Sequence, residues 1–202
     1  MFIFAVHEYK ANLAVHKIFQ SILMNRKLKL QELNRDSIAE FKSKEKHDVI
    51  VILDNLRSLN NIGSFFRTSD AFNIRQLILT GICAQPPHRD IQKTALGATQ
   101  SVDWKYIEDS VEAVKECQKA GFKTYAIEQA VDVISFENFE VEGPIAVVFG
   151  NEVEGVRDEV IQICDGVIEL PQFGTKHSLN VSVCGGAVLW EITKQIIKKA
   201  EA

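Results

Sequence analysis

A short segment of the chain combines two hydrogen-bonding side chains with a glycine at the start of a predicted helix. Asn61 is a candidate N-cap, and Gly63 permits a close approach to the helix backbone. Arg67 follows Gly63 by about one helical turn and is predicted to point to the same end of the helix. An arginine in this place can bind a phosphate through paired hydrogen bonds. Taken alone, the segment is better explained as a capped helix with a surface ion pair.

A second segment, residues 148–156, leads from an apolar strand into glycine and polar residues. Gly150 would let a ligand contact bare backbone, and Asn151 and Glu152 offer hydrogen-bond donors and acceptors. The alternative is a strand-to-helix turn in which Glu152 complements a helix N-terminus. That alternative is favoured when the segment is considered by itself.

A third segment, residues 170–187, places a polar Ser-Leu-Asn triplet at a helix start, behind a loop that contains glycine. Ser178 or Asn180 could serve as an ordinary N-cap. The run of Gly, Thr, Lys, His, Ser and Asn is longer than capping requires. The pattern therefore indicates a binding loop in addition to a helix start.

Alternating strands and helices must position these three segments. Continuous β-branched runs followed by Asp, Gly or Pro predict strands that are buried on both faces, and amphipathic helices follow them. This alternation predicts an α/β fold with a parallel, Rossmann-like sheet, whose ligands bind beyond the carboxyl ends of the strands. The predicted strands are 49–53, 77–80, 124–127, 145–149 and 166–170, and the predicted helices are 62–72, 110–120, 157–164 and 182–199.

The charge distribution separates an N-terminal arm from the rest of the chain. The 202 residues carry a formal net charge of −4. Residues 10–46 contain nine lysines and arginines against four acidic residues, whereas residues 47–202 contain fourteen against twenty-two. We therefore predict a basic helical arm with an N-terminal extension over residues 1–46 and a main domain over residues 47–202. Residues 1–23 continue no element of that domain, and we expect them to pack poorly against it, with Met24 as an alternative start.

Several functional classes are excluded by missing patterns. The four cysteines form no C-x-x-C pair, which argues against a zinc ribbon or a thioredoxin-like site. The absence of G-x-G-x-x-G and of a P-loop sequence argues against nicotinamide-dependent oxidoreductases and P-loop nucleotide hydrolases. The uncharged stretch 178–190 is too short and too polar to span a bilayer. We expect a soluble, cytoplasmic protein that binds neither a metal nor a membrane.

Together, the three segments resemble the three signature motifs of the SpoU/TrmH branch of the SPOUT RNA methyltransferases. The resemblance covers residues 25–202 and includes the loop 86–98. Each segment is weakly diagnostic, but their joint order and spacing are highly specific. Two departures are Leu59, where many members have proline, and Cys184, where alanine is commoner. Neither position carries a group expected to do chemistry.

The resemblance implies a C-terminal trefoil knot, an obligate homodimer and S-adenosylmethionine as methyl donor. It implies transfer to a ribose 2′-hydroxyl of tRNA or rRNA, without specifying which RNA or nucleotide. The implied catalytic residues are Asn61, Arg67, Ser178 and Asn180. The implied cofactor-binding residues are Gly150, Glu152, Leu170, Ser178 and Leu179.

The chemistry of methyl transfer suggests roles for these residues. A guanidinium stays protonated, so Arg67 is expected to grip a phosphate and stabilise the developing alkoxide, while phosphate or water takes the proton. Asn61 is expected to hold Arg67 or the ribose. Ser178 and Asn180 are expected to orient the same part of the site. The alternative function is a non-catalytic RNA-binding dimer with the same fold. The expected RNA-binding residues are Arg26, Lys27, Lys29, Arg35, Arg57 and Arg89.

Overall fold

A computed structural model describes residues 26–201, apart from the side chain of Leu30. The chain forms two compact units, residues 1–37 and residues 38–202. The division falls before the boundary at residue 46 that charge and composition suggest. The predictions for residues 1–23 lie outside the described residues.

The described part of the first unit contains one short 3₁₀ helix, Leu30–Leu33. Arg26 forms a salt bridge of 2.6 Å with Glu32, whose carboxylate also accepts the backbone N–H of Lys29 at 2.7 Å. Asn34 adopts a left-handed backbone conformation and ends the helix. Within residues 26–37 the predicted helical arm is limited to this one short helix, because the chain turns at Asn34.

The second unit contains a seven-stranded sheet in which every strand pair is parallel. The strand order is β3-β2-β1-β6-β4-β7-β5. The strands are β1 His47–Asp54, β2 Ile74–Thr80, β3 Trp104–Ile107, β4 Lys123–Ile127, β5 Ile134–Ser135, β6 Ile145–Phe149 and β7 Gly166–Glu169. The helices are α1 Ile38–Ser43, α2 Leu59–Ala71, α3 Arg89–Ala95, α4 Ala98–Ser101, α5 Ser110–Lys119, α6 Asp158–Ile163 and α7 Val181–Ala200.

The central strands are buried on both faces, as the unbroken β-branched runs predict. Val51 and Leu53 of β1 belong to the apolar cluster that includes residues of α2 and α7. Ile50 and Ile52 belong to the opposite cluster, which includes residues of α5 and α6. Alternating side chains of one strand therefore join two helical layers to the sheet.

All five predicted strands and all four predicted helices of this unit are present, with ends shifted by a few residues. The sequence analysis missed β3 and β5, and it also missed α3 and α4. No residue of β3 is fully buried and β5 has only two residues, so neither shows the continuous apolar run that marks the central strands. Among the described residues, no helix is long and apolar enough to cross a membrane.

Candidate functional site

A cavity of about 500 Å³ opens at the carboxyl ends of β4, β6 and β7. Its walls come from the turn after β4, the loop after β6 and the long loop between β7 and α7. All five predicted cofactor-binding residues line this cavity, together with the predicted catalytic residue Asn180. These residues are Gly150, Glu152, Leu170, Ser178, Leu179 and Asn180.

Only glycine fits at position 150, because there is no room for a Cβ atom. A Cβ atom added there would lie 2.1 Å from both the carbonyl carbon of Gly155 and the backbone nitrogen of Val156. The loop folds back on itself because Asn151 and Gly155 exchange two backbone hydrogen bonds of 2.9 Å. The side-chain oxygen of Asn151 also accepts the N–H of Val153 at 2.9 Å. Glycine is therefore needed here so that the backbone of Gly155 and Val156 can pack against it, and the contact of Gly150 with a ligand stays a prediction.

A buried carboxylate anchors the far end of the same loop. Asp54, fully buried at the end of β1, accepts hydrogen bonds from the backbone N–H and the Nε of Arg157, at 3.1 and 3.2 Å. It also accepts one from the hydroxyl of Ser110. Arg157 donates further to Asp109 at 2.7 Å. Because both charges are paired and hydrogen-bonded, this contact holds the loop firmly over the sheet edge.

Glu152 connects the second motif to the first. Its carboxylate accepts the backbone N–H of Arg57 at 2.9 Å, that of Ser58 at 3.0 Å and the side-chain amide of Asn61 at 2.8 Å. Partial burial acts to raise the pKa of Glu152, but these hydrogen bonds outweigh it and hold the pKa below its usual value. The carboxylate thus complements the N-terminus of α2, whereas the sequence analysis considered only the helix after β6.

Asn61 joins all three motifs. Its side-chain oxygen accepts hydrogen bonds from the amide of Asn180 at 3.2 Å and from the hydroxyl of Ser182 at 3.3 Å. The predicted N-cap role of Asn61 is wrong, because Ser58 precedes the helix and its hydroxyl accepts the N–H of Asn61 at 3.3 Å. Asn61 is instead buried in the first turn of α2, with both ends of its amide occupied.

Asn180 combines the N-cap role considered for it with a link to the first motif. Its side-chain oxygen caps α7 by accepting the N–H groups of Ser182 and Val183 at 2.9 and 3.3 Å. Its side-chain nitrogen meanwhile donates to Asn61. An ordinary N-cap is therefore also the link between the third motif and the first.

Arg67 lies apart from this network. Its side chain is exposed and has no hydrogen-bond or ion-pair partner among residues 26–201. Six helical positions separate it from Asn61, about 9 Å along the axis and about 120° around it. Within this chain Asn61 therefore does not hold Arg67, since its amide bonds to Glu152 and Asn180. The alternative, that Asn61 contacts the ribose, stays a prediction.

Gly63 serves helix packing. A Cβ added there would lie 2.1 Å from the Thr94 hydroxyl oxygen and 2.3 Å from the Ile91 carbonyl oxygen. The close approach that the sequence predicts at this glycine is thus made by α3.

The sequence analysis overlooked two residues that follow β4. Glu128 accepts the backbone N–H of Val156 at 2.9 Å, and Gln129 donates to the carbonyl of His177 at 3.0 Å. Both line the cavity, and each ties β4 to one of its two loops. Their position directly after a predicted strand was the available signal, because polar residues at carboxyl ends mark the binding edge of a parallel sheet.

The cysteines show no sign of catalytic activation. Burial raises the pKa of Cys83, Cys117 and Cys184 to about 11 and that of Cys164 to about 12. A thiol with such a pKa stays protonated at neutral pH and is a poor nucleophile. Within the described part of the chain, no group of three or more His, Cys, Asp or Glu residues could hold a metal ion.

The predicted RNA-binding residues are divided between the two units. Four of them belong to the first unit, and Arg57 and Arg89 belong to the second. All are exposed, and Arg89 pairs only with its neighbour Asp90, at 3.2 Å. Those of the first unit are Arg26, Lys27, Lys29 and Arg35.

Replacing Glu152 by glutamine tests its bond to α2. We expect Glu152→Gln to lower the free energy of unfolding at neutral pH by about 1–3 kcal/mol, because backbone N–H groups lose a charged acceptor. The folded-state pKa is below the ordinary value of 4.5, so the carboxylate stabilises the fold above that value. This contribution is lost as the pH falls through the folded-state pKa. Urea unfolding at about pH 7 and about pH 3.5 should therefore show the difference between wild type and variant shrinking in acid.

Glu154→Gln is the matched control, because Glu154 is exposed and its side chain has no hydrogen bond among the described residues. It should change stability little at either pH. An equal effect of Glu152→Gln at both pH values would contradict the assigned role of the charge.

Comparison with known proteins agrees with this geometry. The sequence pattern of the SpoU rRNA Methylase family matches residues 48–190. A tRNA (guanosine(18)-2′-O)-methyltransferase of Thermus thermophilus is 30% identical over 167 residues, covering 83% of this chain and 85% of the relative. The 23S rRNA (guanosine-2′-O-)-methyltransferase RlmB of Vibrio parahaemolyticus is 29% identical and covers 82% of this chain and 66% of its own.

Solved structures show the same fold. The TrmH/SpoU tRNA modifying enzyme of Aquifex aeolicus superposes with a TM-score of 0.73 at 28% identity, covering 81% of this chain and 82% of its own. An AdoMet-bound rRNA methyltransferase of Sinorhizobium meliloti superposes with a TM-score of 0.68 at 22% identity, covering 80% and 61%. The matched segment includes all three motifs around the cavity, and the chain belongs to the SpoU rRNA methylase family.

Proposed function

We propose that this SpoU-family methyltransferase transfers a methyl group from S-adenosylmethionine to a ribose 2′-hydroxyl of tRNA or rRNA. The observation that carries the proposal is the hydrogen-bonded series Glu152–Asn61–Asn180, which joins the three motifs beside one cavity. The named activities of the relatives, on guanosine ribose in tRNA and in 23S rRNA, support the same substrate class.

The cavity fits the methyl donor. Its volume of about 500 Å³ suits a nucleoside-sized molecule. Gly150 lines the cavity, and Leu170 and Leu179 offer apolar surface for a purine ring. When bound, S-adenosylmethionine supplies a methyl group on an electrophilic sulfonium.

The chain contributes positioning and charge. Asn61 and Asn180 hold the edge of the cavity rigid, because each side chain has partners in a second motif. Ser178, which lines the cavity with no hydrogen bond among the described residues, is available to orient the ribose. Such alignment of reacting groups can contribute about 7–11 kcal/mol to lowering a barrier.

Arg67 binds the phosphate beside the target ribose and stabilises the developing alkoxide. It stays protonated and so cannot act as the base, and a phosphate oxygen or water takes the proton. Because Arg67 is exposed and does not line the cavity of its own chain, we place it at the cavity of a partner subunit.

Two chains therefore form the enzyme, joined through α7. Val183, Trp190 and Ile197 are 59%, 50% and 41% exposed and recur at intervals of seven, which puts them on one face of the helix. An apolar stripe of this kind is expected to be covered by another surface, and we propose a second copy of the chain.

Trp190→Glu should convert the dimer to a monomer and abolish methyl transfer, because it places a charge within the apolar face. Light scattering after size-exclusion chromatography measures the mass, and transfer of tritium from labelled S-adenosylmethionine into RNA measures the activity. Val131→Glu is the control, since Val131 is 97% exposed outside this helix. A monomeric Trp190→Glu with full transfer would disprove the dimeric site.

The basic residues of both units supply affinity for the RNA backbone. Lys27, Lys29 and Arg35 of the first unit are exposed, as is Arg57 beside the α2 N-terminus. Contacts of this kind strengthen binding in a salt-dependent manner without selecting a sequence. The four free cysteines favour a reducing compartment, and we place the enzyme in the cytoplasm.

We also propose that the C-terminal segment is threaded into the trefoil knot that the family resemblance implies. The loops after β6 and β7 line the same cavity, which supports this threading. A continuous trace of residues 145–200 in a crystal structure tests it. A backbone path in which the C-terminal segment does not pass through a loop of the chain would contradict the knot.

Transfer of tritium from labelled S-adenosylmethionine into RNA tests the function. RNA from a strain that lacks the gene should accept label at a ribose 2′-hydroxyl, and RNA from the parent strain should accept little. Binding of RNA without transfer to any RNA from the deletion strain would instead favour the non-catalytic RNA-binding dimer.

A further inference from the structure

Glu128 is a half-buried carboxylate on the cavity wall, immediately after β4. One oxygen accepts the N–H of Val156 at 2.9 Å, and the other accepts the N–H of Gln129 at 2.9 Å. The carboxylate also packs against Gly155, where an added Cβ would lie 2.3 Å from it. These contacts hold the charge in a fixed position.

No fixed positive charge balances Glu128. Both of its hydrogen-bond partners are neutral backbone groups, and it has no ion-pair partner within residues 26–201. Among the described residues that line the cavity there is no lysine or arginine. A partly buried, unpaired carboxylate costs free energy, and a cationic ligand in the cavity would offset that cost.

Each of the other carboxylates of the cavity is placed at a helix N-terminus, screened by solvent, or not held in one position by hydrogen bonds within residues 26–201. Glu152 complements the N-terminus of α2 and has three hydrogen bonds from that region. Glu154 is exposed, so solvent screens its charge. Glu169 is only half-buried at the end of β7 and has no hydrogen bond that fixes its side chain among the described residues.

We propose that Glu128 is a specificity-determining residue that makes the cavity prefer a cationic ligand. S-adenosylmethionine carries a net charge of about +1 through its sulfonium, whereas its demethylated product, S-adenosylhomocysteine, is a neutral zwitterion. The fixed carboxylate therefore favours binding of the methyl donor and release of the spent product. This inference rests on the proposed function, since it assumes that the cavity holds the methyl donor.

Calorimetric titration with three ligands tests the charge preference. The third ligand is sinefungin, in which a protonated amine replaces the sulfonium. We expect the wild-type chain to bind both cations more tightly than S-adenosylhomocysteine. In Glu128→Gln this preference should fall about fivefold, the order expected for one charge at several ångströms in a medium between protein and water.

Two further variants separate charge from structure. Glu128→Asp keeps the charge and should keep the preference for cations within about twofold, even if all three affinities fall together. Glu137→Gln removes an exposed carboxylate that does not line the cavity, and it should change neither affinity nor preference.

The outcomes are distinguishable. Equal weakening of all three ligands by Glu128→Gln would show that the residue acts only on loop structure, and would overturn the inference. So would equal loss of preference in Glu128→Asp and Glu128→Gln. If Glu128→Gln does not fold, equal affinities of the wild-type chain for the three ligands would also overturn it. Failure of the wild-type chain to bind any of them would instead overturn the proposed function.

Discussion

Arg67→Ala should reduce methyl transfer by about 10²-fold or more while leaving the affinity for S-adenosylmethionine nearly unchanged. The guanidinium lies outside the cavity of its own chain and acts on charge that develops during transfer, so its loss affects mainly the transition state. The fold should be unaffected, because the exposed side chain has no partner among the described residues. Single-turnover transfer and calorimetric titration measure the two effects separately.

Two control variants define this prediction. Arg67→Lys should restore little activity, because an ammonium cannot form the paired hydrogen bonds of a guanidinium with phosphate. Arg75→Ala removes an exposed arginine that pairs with Asp48 on the sheet, and it should transfer methyl groups normally. If Arg67→Ala instead abolishes cofactor binding while saturated enzyme turns over normally, the assigned role is wrong.

Gly150→Val should lower the affinity for the cofactor by about tenfold or more, and transfer at sub-saturating cofactor should fall with it. The backbone at Gly150 is not in the left-handed region, so the restriction is space: the new Cβ would lie 2.1 Å from the backbone of Gly155 and Val156. The loop would have to move and would lose the hydrogen-bonded turn between Asn151 and Gly155 that shapes this wall of the cavity. Calorimetry with S-adenosylmethionine measures the loss.

The milder Gly150→Ala should have the same effect, because it adds the same Cβ. Gly143→Ala is the matched control, since nothing lies within 4 Å of a Cβ added there. Wild-type affinity in either Gly150 variant would contradict the assignment of this loop to the cofactor.

Mixing the two defective chains tests the shared site. If Arg67 acts on the partner's cavity, a heterodimer of Arg67→Ala with Gly150→Val contains one site with both defects and one site with neither. Random exchange should then restore about a quarter of the wild-type activity, since half of the dimers are mixed. No recovery after exchange would place Arg67 and its cavity in the same chain.

The strand pattern and the binding edge were predictable from sequence. The β-branched run of β1 and the apolar run of β6 are buried on both faces, and Gly150 directly follows β6 on the cavity wall. These features are local, because each depends on residues close together in the chain. The family resemblance added the grouping of Leu170, Ser178, Leu179 and Asn180 around the same cavity.

Only the tertiary structure decided which side chains are bonded to each other. The chemistry of methyl transfer suggested that Asn61 holds Arg67 or the ribose, but within this chain Asn61 bonds to Glu152 and Asn180. It also missed Glu128, whose partner Val156 follows a different strand. The carboxyl ends of parallel strands that are distant in sequence meet at one edge, so these hydrogen bonds depend on strand order. Composition and helical periodicity describe each element separately and contain no information about that order.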